Sequence, residues 1–225
     1  MNALRTKLST YAIALLISFG FNTSANAGSE NFAGIYGGLY GTVTGVELDG
    51  THTDNDAQKT RAQAGGVAAG VGFEAGVSIP LGDVFFVSIG GSWLPGKAKI
   101  GYSDSSGDGA GDNTDTTLFV SDYMSYYIQP SISIWDNAAV YAKIGSATMK
   151  TTAHGDVTGT LGDVSGDTWA VGTQVMSEAG LYMKAEAGAT QMDQFRITGV
   201  SDSSTSSVEA SPLLAYGSVA IGYKF

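Results

Sequence analysis

Residues 211–225 read Ser-Pro-Leu-Leu-Ala-Tyr-Gly-Ser-Val-Ala-Ile-Gly-Tyr-Lys-Phe. From Leu213 onward the side chains alternate. Leu213, Ala215, Gly217, Val219, Ile221, Tyr223 and Phe225 share one face, and Leu214, Tyr216, Ser218, Ala220, Gly222 and Lys224 share the other. A period of two is that of a β-strand, with one apolar face and one small, aromatic or polar face. A strand ending on an exposed aromatic is an aggregation hazard in water. Against a bilayer the same ending is favourable, because Tyr223 and Phe225 then sit at the lipid–water boundary.

Seven upstream segments alternate in the same way. Residues 65–79 are the clearest, with Val67, Ala69, Val71, Phe73, Ala75, Val77 and Ile79 on one face and Ala68, Gly70, Gly72, Glu74, Gly76 and Ser78 on the other. The others are residues 32–48, 84–100, 118–134, 139–151, 167–178 and 181–197. Val120, Met124, Tyr126 and Ile128 are expected on the outward face of their segment. The connections alternate. Polar stretches at 49–64, 101–117, 152–166 and 198–209 are long, whereas the links near 80–83, 135–137 and 179–180 are short. That rhythm predicts an all-β fold: an up-and-down antiparallel transmembrane barrel of eight strands, or ten if a long loop hides a hairpin.

Composition agrees. The chain has 225 residues, no cysteine, 32 glycines and a net charge of −10. The cysteine count excludes a disulfide scaffold and a thiolate-ligated metal. So acidic a chain argues against a nucleic-acid partner. Beyond the first 27 residues no apolar run is long enough for a spanning helix, so a bilayer would be crossed by strands.

Residues 1–27 have the plan of a cleaved signal peptide: basic Arg5 and Lys7, an apolar run from Tyr11 to Phe21, then Ala25-Asn26-Ala27. A membrane-anchor helix is the alternative. The expected mature domain is 28–225, with nine basic and 21 acidic residues. A soluble lipocalin-like barrel would share the alternation with its faces reversed. The charges oppose it: Glu74, Lys143, Lys184, Glu186 and Lys224 all lie on the glycine- and tyrosine-bearing face, leaving a wholly apolar face for lipid.

The pattern, the loop rhythm and the Gly222-Tyr223-Lys224-Phe225 ending resemble the small eight-stranded outer-membrane proteins of Gram-negative bacteria, the OmpA-barrel, OmpX, Opa and OmpW group. The resemblance covers residues 28–225. It implies residence in the outer membrane, long loops outside and tight turns in the periplasm. It also implies that the barrel-assembly machinery reads the last strand.

Counted from the short turns, Glu74, Gln129, Lys143, Gln174, Lys184 and Glu186 point inward at similar heights. We expect a polar plug in which the two glutamates pair with the two lysines, bridged by the glutamines, with Tyr36, Tyr40, Tyr123 and Tyr127 filling space opposite glycines. Phe85, Trp135, Tyr223 and Phe225 near one rim, and Trp93 and Trp169 near the other, are expected interface anchors. Aspartates 104, 108, 112 and 115 lie in one loop without the spacing of a calcium loop. His52 and His154 lie in loops without a nucleophile motif, so no enzyme, metal or cofactor is expected. The expected role is a membrane scaffold presenting acidic loops to an extracellular ligand, with a narrow channel for small or hydrophobic solutes as the alternative.

Overall fold

The computed structural model describes residues 28–53, 59–102, 117–154, 159–201 and 204–225. The expected signal peptide lies outside the described residues. Nine strands follow one 3₁₀ turn, Ser29–Phe32: β1 (Gly34–Thr53), β2 (Lys59–Pro80), β3 (Phe85–Tyr102), β4 (Thr117–Trp135), β5 (Ala138–His154), β6 (Gly159–Met176), β7 (Leu181–Met192), β8 (Phe195–Ser201) and β9 (Ser204–Lys224). All pairings are antiparallel between sequence neighbours, except that β7 and β8 both pair with β9. β1 then pairs with β9 from Tyr36–Lys224 to Thr53–Ser207 and closes the sheet.

The barrel has eight walls, because β7 and β8 are one wall interrupted at Asp193 and Gln194. The polar stretches at 49–64, 152–166 and 198–209 are not loops for most of their length. They continue the strands, so that Thr53 still pairs with Lys59 and Ser201 with Ser204. Gly and Asp are weak strand formers, but a ladder already in register extends by adding one hydrogen-bonded pair after another. Tertiary pairing overrides local composition there.

The outward apolar face is a belt. On β3 it runs from Phe85 through Ile89 to Trp93, and half or more of Ile35, Val71, Ile89 and Ile144 is exposed. Phe85 to Trp93 spans about 27 Å of strand, or about 20 Å along the axis at the usual tilt of ~40°, close to the ~25 Å apolar band of outer-membrane barrels. Above it the outward residues turn polar: Glu47, Asp49, Lys97, Lys99, Lys150, Asp163 and Asp167.

Val120 is a correction. It faces inward and packs on an interior apolar cluster. The register shifts between Ser121 and Met124, where Asp122 has φ 53°. A bulge residue reverses the parity of everything beyond it. Below the bulge Met124, Tyr126 and Ile128 face out; above it Val120 faces in. Gly162 does the same on β6, where Lys150–Asp163 is followed by Thr151–Leu161 and Leu161 packs against the same interior cluster.

Ile89→Arg, at the centre of the belt, should cost about 2–4 kcal/mol of unfolding free energy in lipid vesicles. Lys99→Gln, above the belt, should change it little. Equal effects in urea titrations would place the bilayer elsewhere on this surface.

Candidate functional site

The interior is layered. At the turn end, Phe32 of the 3₁₀ turn is fully buried and stacks on Phe86 with ring centroids 4.8 Å apart. Tyr36, Met176 and Tyr182 complete that layer. The turn is tied in place by Ser29 N–H donating to Asp83 O (2.7 Å) and Asn31 Nδ2 donating to Asp136 O (2.9 Å). The Lys224 ammonium donates to Phe32 O and to Ser78 Oγ. Gly34, at φ 114°, makes the bend into β1, a conformation that L side chains rarely adopt.

Above this base lie the charges. Lys143 Nζ is 2.5 Å from Glu186 Oε2, and Lys184 Nζ is 3.0 Å from Glu74 Oε1. Tyr141 and Tyr216 donate to the two oxygens of Glu186 at 3.0 and 3.1 Å, and Tyr182 donates to Glu74 at 2.9 Å. Lys143 lies 4.3 Å from the centroid of Tyr127, and Lys184 lies 4.4 Å from that of Tyr36. Each of these four buried charges thus meets an opposite charge and at least one ring or hydroxyl, which offsets its desolvation. Lys184 Nζ is held between Glu74 and the rings of Tyr36 and Tyr182, whose centroids lie 4.4 and 5.1 Å away.

The structure places Glu74, Gln129, Lys143, Gln174, Lys184 and Glu186 all inside and brings the four charged residues together. The bridging role expected of Gln129 is a correction: it is fully buried and neither amide atom has a hydrogen-bond partner. Tyrosines take that place. Tyr141, Tyr182 and Tyr216 were not singled out in the sequence. A signal was present: each covers a glycine on a neighbouring wall. A Cβ at Gly172 would fall 2.5 Å from Tyr141, one at Gly222 2.4 Å from Tyr182, and one at Gly188 2.8 Å from Tyr216. Small residues on one wall make room for a ring projecting from the next.

Next come hydroxyl groups. Ser92 and Ser125 meet at 2.7 Å, Tyr123 and Thr190 at 2.8 Å, and Thr190 donates to Thr168 at 3.0 Å. The last layer is apolar again: Val46, Leu48, Met149, Met192, Phe195 and Leu214. Between the ionic floor and this apolar top lies a cavity of about 250 Å³. Glu74, Lys143, Lys184 and Glu186 line its floor, and Leu94, Val120, Met149 and Leu214 line its upper part.

The cavity meets a break in the wall. β2 and β3 pair from Pro80–Phe86 to Phe73–Trp93, and again at Gly65–Gly101 and Ala64–Tyr102, in one unchanged register. Residues 66–72 and 94–100 between these points are unpaired with each other. Pro95 has no N–H to donate, and Gly96, at φ 121°, leaves the extended conformation. Ala69, Gly96 and Lys97 line the cavity and are also exposed, so the interior reaches the outer surface here. The opening lies just above Phe73 and Trp93, which stack at 6.0 Å at the edge of the belt.

Phe85, Trp93, Trp135, Trp169, Tyr223 and Phe225 are all outward and exposed. Tyr223 and Phe225 meet edge-on at 5.0 Å. Trp93 and Trp169 mark the far edge of the belt, not the far rim of the barrel, because the strands run on beyond them. Aspartates 104, 108, 112 and 115, and the side chains of His52 and His154, lie outside the described residues. No cluster able to hold a metal occurs among the described residues.

No family model and no curated protein matches the sequence. Solved structures do. The outer membrane protein OprG of Pseudomonas aeruginosa is 14% identical, with a TM-score of 0.52 over 86% of this chain and 96% of that one. The outer membrane protein AlkL is 13% identical, with a TM-score of 0.47 over 92% and 95%. The attachment invasion locus protein Ail of Yersinia pestis is 13% identical, with a TM-score of 0.35 over 80% and 98%. At such identities the likeness is one of fold: this chain is a small barrel of the outer-membrane type, and its apolar belt is the surface that a bilayer covers.

Glu74→Ala would leave the Lys184 ammonium buried without its carboxylate, at a cost of about 3–5 kcal/mol. Glu74→Gln combined with Lys184→Met should recover most of it. Single-channel conductance of Glu74→Ala should stay low, because Phe32, Phe86, Tyr36 and Tyr182 still fill the turn end. A rise in conductance would show that the ionic layer, not the aromatic base, seals the barrel.

Proposed function

We propose that this barrel is a narrow outer-membrane portal for small apolar or amphipathic solutes, with exchange through its side wall. The observation that carries the reading is the parting of β2 from β3 beside the interior cavity. Three features support it. The base is filled by aromatic rings, which argues against a water-filled pore along the axis. The cavity is apolar above and opens beside Trp93, where a solute leaving it sideways meets the bilayer edge. The parting is built into the sequence by Pro95 and Gly96 and flanked by intact pairing, which argues against a frayed edge.

A closed scaffold that presents its far end to a surface ligand is the second reading. The strands favour it where they carry the wall well beyond the belt, with Glu47, Asp49, Asp163 and Asp167 exposed. Membrane insertion by the assembly machinery through β9, and cleavage before Gly28, accompany either reading.

The chain has no cysteine, so a clamp across the opening can be introduced cleanly. Ala68→Cys with Ala98→Cys places a pair on facing stretches of the parted strands, both lining the cavity. Oxidised, this variant should take up N-phenyl-1-naphthylamine into proteoliposomes at least about fivefold more slowly than the unsubstituted protein, and dithiothreitol should restore the rate. No dye uptake above that of empty liposomes by any form would favour the scaffold. Uptake indifferent to oxidation, with the disulfide verified by mass, would exclude the side wall as the route.

A further inference from the structure

The two edges of the side opening differ in chemistry on the outside of the wall. Carried across the parting, the β2–β3 register sets Lys97 level with Ala69 and Lys99 level with Val67. On the β2 edge Val67 and Val71 are outward, 78% and 63% exposed, and prolong the apolar surface above Phe73. On the β3 edge the apolar surface stops at Trp93, and the outward side chains beyond Pro95 and Gly96 are Lys97 and Lys99, both exposed. Lys97 lies four residues beyond Trp93, about 13 Å of strand or ~10 Å along the axis at the usual tilt. From there a lysine side chain reaches the lipid head groups. The opening is on the side of the belt away from the short turns, which faces the outside in barrels of this type.

These two cations are unusual in so acidic a chain. The exposed carboxylates of Glu47, Asp49, Asp163 and Asp167 above the belt lie on β1 and β6. Lys150, reached from Lys97 through Ser121 in the strand register, is already engaged by Asp122 at 3.2 Å. Lys97 and Lys99 have no carboxylate partner among the described residues, and Lys97 Nζ lies 4.4 Å from the centroid of Phe119. Two residues apart on one strand face, their backbones are about 7 Å apart, so the two ammoniums repel unless an anion joins them. A phosphate monoester carries close to two negative charges and three acceptor oxygens, and so meets both lysines at once; a carboxylate has one charge to share between them. Free phosphate has nothing to set against Val67 and Val71, whereas a lipid does.

We infer that the outer face of this opening binds a phosphate-bearing lipid of the outer leaflet. The phosphate sits between Lys97 and Lys99, and an acyl chain lies against Val71 and Phe73, so that the lipid spans the parting from its basic edge to its apolar edge. The site is outside the lumen. It goes beyond the portal reading and needs no solute to pass.

The experiment is native mass spectrometry of the full, folded protein in nonionic detergent. It is titrated with diphosphoryl lipid A, with the same lipid stripped of its phosphates by phosphatase, and with inorganic phosphate. The phosphorylated lipid should bind about thirtyfold more tightly than the stripped one, about fivefold for each lysine that meets a lipid anion. Lys97→Gln/Lys99→Gln, at two exposed positions above the belt, should remove that difference. Lys150→Gln, whose cation Asp122 already holds, should change the affinity less than about threefold. Val71→Ala should weaken both lipids alike, by about fivefold. Equal affinity for the two lipids, or undiminished binding by the double lysine variant, would overturn the phosphate site. Unchanged binding by Val71→Ala would overturn the placement of the acyl chain. Inorganic phosphate displacing the lipid at equal concentration would overturn a lipid as the source of the phosphate. None of these results alters dye uptake through the opening, which tests the portal separately.

Discussion

Closure of the sheet is the constraint on which the rest depends. Within a bilayer a backbone N–H or C=O without a partner costs several kcal/mol, and only a ring of strands leaves no edge. β1 and β9 complete that ring by pairing over eighteen residues on each strand, from Tyr36 to Thr53 against Lys224 to Ser207. Once the ring closes, alternation has only two destinations, lipid and lumen. Every ionisable group within the belt is then sent inward, and every inward group needs a partner there. The Glu74–Lys184 and Lys143–Glu186 pairs, and the tyrosines that serve them, follow from closure.

Seen this way, the parting of β2 from β3 is the informative exception. A barrel under such pressure to pair its backbone keeps Pro95 and Gly96 in a wall and opens the ladder around them. The opening sits just above Phe73 and Trp93; its β3 edge carries outward Lys97 and Lys99, and its β2 edge keeps outward Val67 and Val71. The same fold can therefore be sealed along its axis and open through its side. The filled base holds the ring together, and the lumen above it is roomier.

Much of this was legible in the sequence because it depends on residue parity. The outward Val71, Phe73, Ile89 and Trp169, and the inward Glu74, Lys143, Lys184 and Glu186, occupy faces that follow from counting by two. Counting fails where the chain slips by one. Val120 lies four residues before Met124 and yet faces the other way, because Asp122 is a bulge residue and nothing in its immediate sequence marks it as one. Gln129 shows a second limit. Its inward position follows from parity, but its lack of partners depends on which side chains the closed ring places beside it. Tyr141 and Tyr216 occupy such places, reaching from nearby walls to a carboxylate that their own strands do not supply.

The sequence by itself determined a membrane barrel, which face meets lipid and which charges share the interior, since a strand's side-chain period and the cost of charge in hydrocarbon are local properties. Only the tertiary structure decided how far the walls extend, which lysine meets which glutamate, that Phe32 closes the base, and that the wall opens beside Pro95. Those features are set by register, closure and shear among distant strands. A pairing between residues more than a hundred positions apart, as between Tyr182 and Glu74, has no trace in the pattern of either strand alone.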